Sequence, residues 1–323
     1  MSWTKWHEKQ PDVVRLLVNS LRKKRLPHAY LFEGEKGTGK RAIAETLVKA
    51  IYCKAPNDVE PCHQCIDCRR IASGNHPDVH IVSPDGQSIK IGQIRQLKKE
   101  FSYLGVESTR KAYLIEQAER MTTQASNSLL KLLEEPNQET IAILLTENGK
   151  KMLPTIASRC QSVAFRPPPI RTLRSRLDHP LAFFAATVTN DDESGKKMAE
   201  DEWFAQARKI VIQLTEEMMG RPDRVLLLIQ EKWIPHFKAK EEMDIGLHLL
   251  LLWFRDLLSV KVRQLDQVVY SDQLQQLERY ARRFKTVQIG THLETIMEAR
   301  KRLNANVNPQ LVIEQAVLTI QEG

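Results

Sequence analysis

Short apolar runs alternate with amphipathic stretches through the first half of the chain. Ala29-Tyr30-Leu31-Phe32 is a β-compatible run, followed by a glycine-rich segment and then a helical pattern over Lys40–Tyr52. Val79-His80-Ile81-Val82 reads as a second strand, and Ile91, Ile94, Leu97 and Phe101 share one face of a helix over Ile91–Phe101. Ala112-Tyr113-Leu114-Ile115 and Ile141-Ala142-Ile143-Leu144-Leu145 have the continuous apolar character of buried strands, and residues 162–165 supply a short last one. Between the two runs, Thr122 is placed to cap a helix that reaches Glu134 and stops at Pro136. Strands alternating with helices predict a mostly parallel α/β sheet.

Arg166-Pro167-Pro168-Pro169 ends this region, because a proline run cannot continue a sheet and makes a stiff connector. Beyond it the strand signal fades. The pattern predicts a small helical segment over 168–200, interrupted by the polar stretch 190–197, and helices throughout 201–323. Residues 247–258 form the most apolar piece and read as a core helix, and 274–287 reads as one amphipathic stretch. The expected domains are thus 1–167, 168–200 and 201–323.

Composition narrows the class. With 42% hydrophobic and 27% charged residues in 323, the chain is of soluble type with room for several cores. No apolar run approaches the roughly 20 residues of a membrane span, and the first residues carry no apolar leader, so a cytoplasmic protein with no membrane role is expected. Five cysteines there are expected as thiols or metal ligands, not disulfides. Residues 1–167 hold 26 lysines and arginines against 18 acids, while 168–323 balance at 22 of each. The excess positive charge of the first half suits a phosphate-rich partner, with solubility as the plain alternative.

Two motifs bring chemistry. Gly34-Glu35-Lys36-Gly37-Thr38-Gly39-Lys40 lies between a strand and a helix, as a phosphate-binding loop requires. Its glycines let backbone N–H groups face phosphate oxygens, the helix presents its positive end, and Lys40 adds a charge. The next residue should be Ser or Thr to hold Mg²⁺, and here it is Arg41, which cannot ligate a cation. The strand at 112–115 should end in an acidic pair in an active ATPase, and here it ends in Glu116-Gln117, whose amide cannot act as a base. ATP or ADP can be held weakly by such a loop, with Lys40 and Arg41, but hydrolysis is not expected. A remnant loop that binds nothing is the alternative. The second motif is Cys53, Cys62, Cys65 and Cys68, spaced by eight, two and two residues. Four thiolates close a tetrahedral Zn²⁺ shell with no open position, which makes a structural site. An iron–sulfur cluster is the rival, His63 is a substitute ligand nearby, and Cys160 reads as a core cysteine.

These motifs occur together with Leu129-Leu130-Lys131-Leu132-Leu133-Glu134-Glu135-Pro136 and Ser158-Arg159-Cys160. In that combination the chain resembles the bacterial DNA polymerase III clamp-loader subunits. The resemblance is strong over about 1–167 and one of general layout beyond. Within the family, Arg41, Glu116 and Gln117 resemble the delta-prime type, whose ATP site is degenerate, and not the gamma/tau motor type. The resemblance implies a RecA-like AAA+ domain with an inserted zinc module at 53–68, a small helical lid, and an all-α collar that joins a hetero-oligomer. It implies gamma/tau and delta subunits as partners, with the sliding clamp and primed DNA reached through the complex. It also implies that Arg159 acts as an arginine finger on a neighbour's ATP; a structural arginine capping the following strand is the alternative. The function expected is a subunit without activity of its own. The competing functions are an active AAA+ motor of the same complex, disfavoured by Arg41 and Gln117, and a zinc-bearing nucleic-acid-binding module, which leaves Gly34–Lys40 and Arg159 without purpose.

Overall fold

The computed structural model describes residues 2–101, 110–134, 140–177, 180–305 and 307–322. Glu135 and Pro136, the expected helix stop, lie outside the described residues. The chain divides into two compact units, Met1–Pro168 and Pro169–Gly323, at the proline run.

The first unit is a five-stranded, wholly parallel sheet. Its strands are β1 (Ala29–Glu33), β2 (Val79–Val82), β3 (Lys111–Ile115), β4 (Thr140–Thr146) and β5 (Gln161–Ala164), in the order β2-β3-β4-β1-β5. Leu31 of β1 sits in register with Leu144 of β4 and Ser162 of β5. Successive residues of β1 point to opposite faces, so Tyr30 and Phe32 enter one core while Ala29 and Leu31 enter another. Helices α1 (Trp3–Lys9), α2 (Pro11–Arg22), α3 (Lys40–Tyr52) and α4 (Ile66–Ala72) supply Trp6, Val14, Leu47 and Ile71 to the first core. The second core takes Ile94 of α5 (Ile91–Phe101), Leu129 of α6 (Thr123–Glu134) and Ile156 of α7 (Pro154–Ala157). Both faces of the sheet interior are therefore covered, which is why strands β1, β3 and β4 read as near-continuous apolar runs, while the edge strands β2 and β5 are partly exposed. Thr122 caps α6 as expected, its hydroxyl accepting from the Ala125 N–H at 3.2 Å.

The second unit is helical and shares one core. Its helices are α8 (Ile170–Arg176), α9 (Pro180–Thr189), α10 (Asp192–Ala199), α11 (Glu202–Gly220), α12 (Val225–Leu228), α13 (Ile234–His236), α14 (Lys240–Lys261), α15 (Leu274–Ala281), α16 (Thr286–Asn304) and α17 (Pro309–Glu322). A π turn over Ile229–Trp233 joins α12 to α13 just before Pro235, which has no N–H for a regular helix. The apolar piece at 247–258 is the middle of α14, burying Leu247, Leu250, Trp253 and Leu257; no described helix is long and apolar enough to cross a membrane. Two expectations are corrected. The polar stretch 190–197 interrupts the helices only at its first two residues, and 192–197 lie within α10. The break is confined to Asn190, at φ 55°, and the extended Asp191, which caps α10 by accepting from the Ser194 N–H at 2.9 Å. The stretch 274–287 is two helices, because the Lys285 N–H donates to the Gln288 side chain at 2.9 Å and starts α16 afresh.

Candidate functional site

Interior strand β1 delivers the chain to the glycine loop. The Gly34 N–H donates to the Thr146 carbonyl at the end of β4 at 3.1 Å, and a Cβ at Gly34 would meet the Phe165 carbonyl oxygen at 2.3 Å. Gly37 and Gly39 hold left-handed conformations at φ 86° and 90°. Lys40, the first residue of α3, is nearly buried, and its ammonium donates to the carbonyls of Gly34 and Glu35 at 2.5 and 2.7 Å. Burial holds its pKa below the ordinary lysine value, against the opposing pull of Glu147, Glu119 and Glu35. Thr38 donates its hydroxyl to the Glu35 carbonyl at 2.8 Å. Two residues that sequence reasoning missed brace the loop: Gln10 donates its amide to the carbonyls of Thr38 and Arg166 at 3.0 and 2.8 Å, and the Trp6 ring lies against Gly39.

Two of the positions singled out in the sequence, Arg41 and Glu116, meet. Arg41, in the first turn of α3, forms an ion pair with Glu116 at the end of β3, with Nε 2.8 Å from Oε1. The other Glu116 oxygen accepts from the Ser83 hydroxyl at 2.9 Å. Gln117 follows in a left-handed conformation at φ 49° and turns the chain into a short 3-10 helix. The pair thus links by a guanidinium the two positions at which a phosphate loop of this kind ordinarily shares a divalent cation.

Arg159 follows α7. Its Nη1 donates to the Thr155 carbonyl at 2.9 Å and its Nη2 pairs with Glu134 at 2.7 Å, leaving the side chain 36% exposed. Glu134 belongs to the Leu-rich motif, a partnership that spacing alone could not reveal.

The cysteine cluster closes around the start of α4. The four Sγ atoms of Cys53, Cys62, Cys65 and Cys68 lie within 4.8 Å of one another, near the edge of about 3.8 Å that a tetrahedron with bonds of about 2.3 Å requires. The N–H groups of Cys62, Cys65 and Cys68 donate to the sulfurs of Cys53, Cys62 and Cys65 at 3.2, 3.3 and 3.5 Å, an arrangement that favours thiolates. N–H donation from Gln64 and Cys65 brings Cys62 down to about 6, while burial raises Cys68. Such a donor set fits a soft or borderline metal ion. His63 lies outside it, 3.7 Å from Glu60. Cys160 is packed against the second core of the sheet unit.

A five-stranded parallel α/β sheet, a glycine-rich strand-to-helix loop on an interior strand and a four-cysteine cluster able to hold a metal define an α/β module of the phosphate-loop type. Comparison with known proteins narrows that class. Family models described as DNA polymerase III, delta subunit, and DNA polymerase III, delta subunit, C terminal, match residues 9–169 and 228–322. The chain is 43% identical to DNA polymerase III subunit delta' of Bacillus subtilis, over 100% of this chain and 99% of that protein. It is 38% identical to subunit tau of the same organism over 49% of this chain and 28% of tau. A gamma subunit-related protein of Thermotoga maritima shares the fold, with a TM-score of 0.56 at 19% identity over 96% of this chain and 99% of that one. The chain belongs to the family of DNA polymerase III subunit delta'.

Proposed function

We propose that this chain is the non-catalytic, partner-stimulating subunit of a replicative clamp loader. It helps gamma/tau-type motors and a delta subunit to load the sliding clamp on primed DNA in the cytoplasm. The observation that carries this reading is the Arg41–Glu116 ion pair, which puts an internal cation where an active ATPase needs Mg²⁺. An active motor would need that pair opened and a base in place of Gln117. In this reading the loop holds ATP or ADP weakly and without turnover. Segment 168–200 serves as lid and 201–323 as collar. Cys53, Cys62, Cys65 and Cys68 hold one structural Zn²⁺, which fixes the fold of the 53–68 insertion. Arg159 leaves Glu134 and reaches a neighbour's ATP, where a forked guanidinium stabilises charge developing on the transferred phosphoryl group.

The test is an ATPase measurement in two settings. The isolated chain should show only background turnover; Mg²⁺-dependent hydrolysis abolished by Lys40→Ala would favour the motor reading instead. In the reconstituted assembly, Arg159→Ala should keep assembly and metal content and lower DNA- and clamp-stimulated ATPase. The loss should be below the ~10³-fold typical of a single-site finger, because other interfaces keep theirs. Arg159→Lys should rescue poorly, since an ammonium lacks the fork. Unchanged ATPase and loading in the Arg159→Ala assembly would reduce this residue to a structural one.

A further inference from the structure

We propose that the phosphate loop of this chain takes a nucleoside di- or triphosphate as the free, uncomplexed anion, with the Arg41 guanidinium standing in for the divalent cation. This deepens the reading of Gly34–Lys40 as a nucleotide site and rests on it. Arg41 is the residue after the loop lysine, and Glu116 ends the strand beside β4, so their ion pair at 2.8 Å joins the two elements a shared cation would bridge. Glu116 has one oxygen on Arg41 and the other on the Ser83 hydroxyl at 2.9 Å, which leaves its carboxylate engaged on both sides. A hydrated Mg²⁺ entering here would find an arginine where the ligating Ser or Thr ordinarily follows the loop lysine, a carboxylate paired with that arginine, and a positive charge beside it. A polyphosphate finds the opposite: left-handed glycines at 37 and 39, the N-terminus of the 13-residue helix α3, the Lys40 ammonium, and a guanidinium 67% exposed that can turn from Glu116 to a phosphate oxygen. Lys40 rests on the carbonyls of Gly34 and Glu35, so a ligand must draw it away, which keeps the affinity low.

Selectivity follows from charge. Nucleotide already carrying Mg²⁺ brings its own cation to a place that holds one, so added magnesium should weaken binding by sequestering the form the site accepts. This inverts the ordinary dependence of a phosphate loop.

The experiment is calorimetric titration of the full chain with ADP and ATP, in magnesium-free buffer and in excess magnesium. No strong chelator is used, so that the cysteine cluster is not challenged. ADP should bind without magnesium and more weakly in excess magnesium. Arg41→Thr should weaken magnesium-free binding about tenfold or more and make what remains depend on magnesium. Glu116→Gln should release the guanidinium and tighten magnesium-free binding a few-fold. Lys40→Ala should remove binding and so exclude adventitious polyanion attachment. Thermal melts of each variant certify folding, and Arg41→Gln serves if the threonine variant does not fold. Binding as tight or tighter in excess magnesium in the natural chain, no binding in either buffer, or an Arg41 variant with undiminished magnesium-free affinity overturns the proposal. None of these outcomes touches the role of Arg159, which is read in the assembly and not on this loop.

Discussion

Gly39 shows how tightly single residues fix the phosphate loop. Its φ of 90° is unfavourable for any side chain, and a Cβ there would lie 2.6 Å from a Trp6 ring carbon. Gly39→Ala should therefore lower stability by roughly 1–3 kcal/mol, measured as an earlier denaturant midpoint at unchanged slope. Gly290 is the contrast: it lies inside α16 with open space around its would-be Cβ, and Gly290→Ala should raise stability by about 0.5–1 kcal/mol. Measured side by side, the two variants separate backbone strain from general tolerance. At this scale the sequence was informative where chemistry depends on neighbours in the chain. Arg41 after Lys40 and Gln117 after Glu116 raise the expectation of an altered cation site by identity alone. It was silent where partners are distant: no spacing links Gln10 to Arg166, 156 residues on, or Arg159 to Glu134 at the end of α6.

Among elements, the interior strands β1, β3 and β4 were legible because burial on both faces demands continuous apolar runs, and each observed strand, edge strands included, overlaps its expected run. Helix α1 was not, since seven residues carry too little periodicity and its burial depends on remote contacts. The Trp3 indole N–H donates to the Val59 carbonyl at 3.0 Å, and its backbone N–H reaches the Glu60 carboxylate at 3.0 and 3.2 Å. Three residues on, Trp6 covers Gly39. Helix α1 thus ties the cysteine insertion to the phosphate loop. Zinc analysis should give one equivalent per chain, and removing the metal should loosen the 53–68 insertion and, through it, α1. The expected signs are a red shift in tryptophan emission and faster amide exchange over residues 3–9, with far-ultraviolet dichroism of the sheet unit largely kept. Trp3→Phe should blunt the emission change. Emission that ignores metal removal would mean that α1 holds its place without the cluster.

For the molecule as a whole, two compact units with separate cores imply separable unfolding, and acid should act on the helical unit through His248. Arg300 grips Asp244 with two bonds of 2.8 Å and places Nη1 3.1 Å from His248 Nδ1. Because the guanidinium only donates, that nitrogen must be an unprotonated acceptor. Burial first, and then the Arg300 charge, push His248 down to about 4 from its ordinary 6.5. His292, enclosed by Phe254 and Phe284, is also lowered by burial. A folded-state pKa below the unfolded one means that protons bind the unfolded chain first as pH falls. The full stability is therefore present above about 6.5 and declines from there toward about 4, by on the order of 1–3 kcal/mol for a group shifted this far. His80 in the sheet unit is shifted the same way, so acid alone does not identify the source. His248→Asn does: its side-chain oxygen can accept from Arg300 as Nδ1 does, but it cannot take up a proton. Calorimetric scans between neutral pH and pH about 5 should show a shallower acid decline of the helical transition in that variant, with the sheet transition unchanged from the natural chain. Parallel declines in the two proteins would remove His248 from the account and leave His292 as the group to replace next.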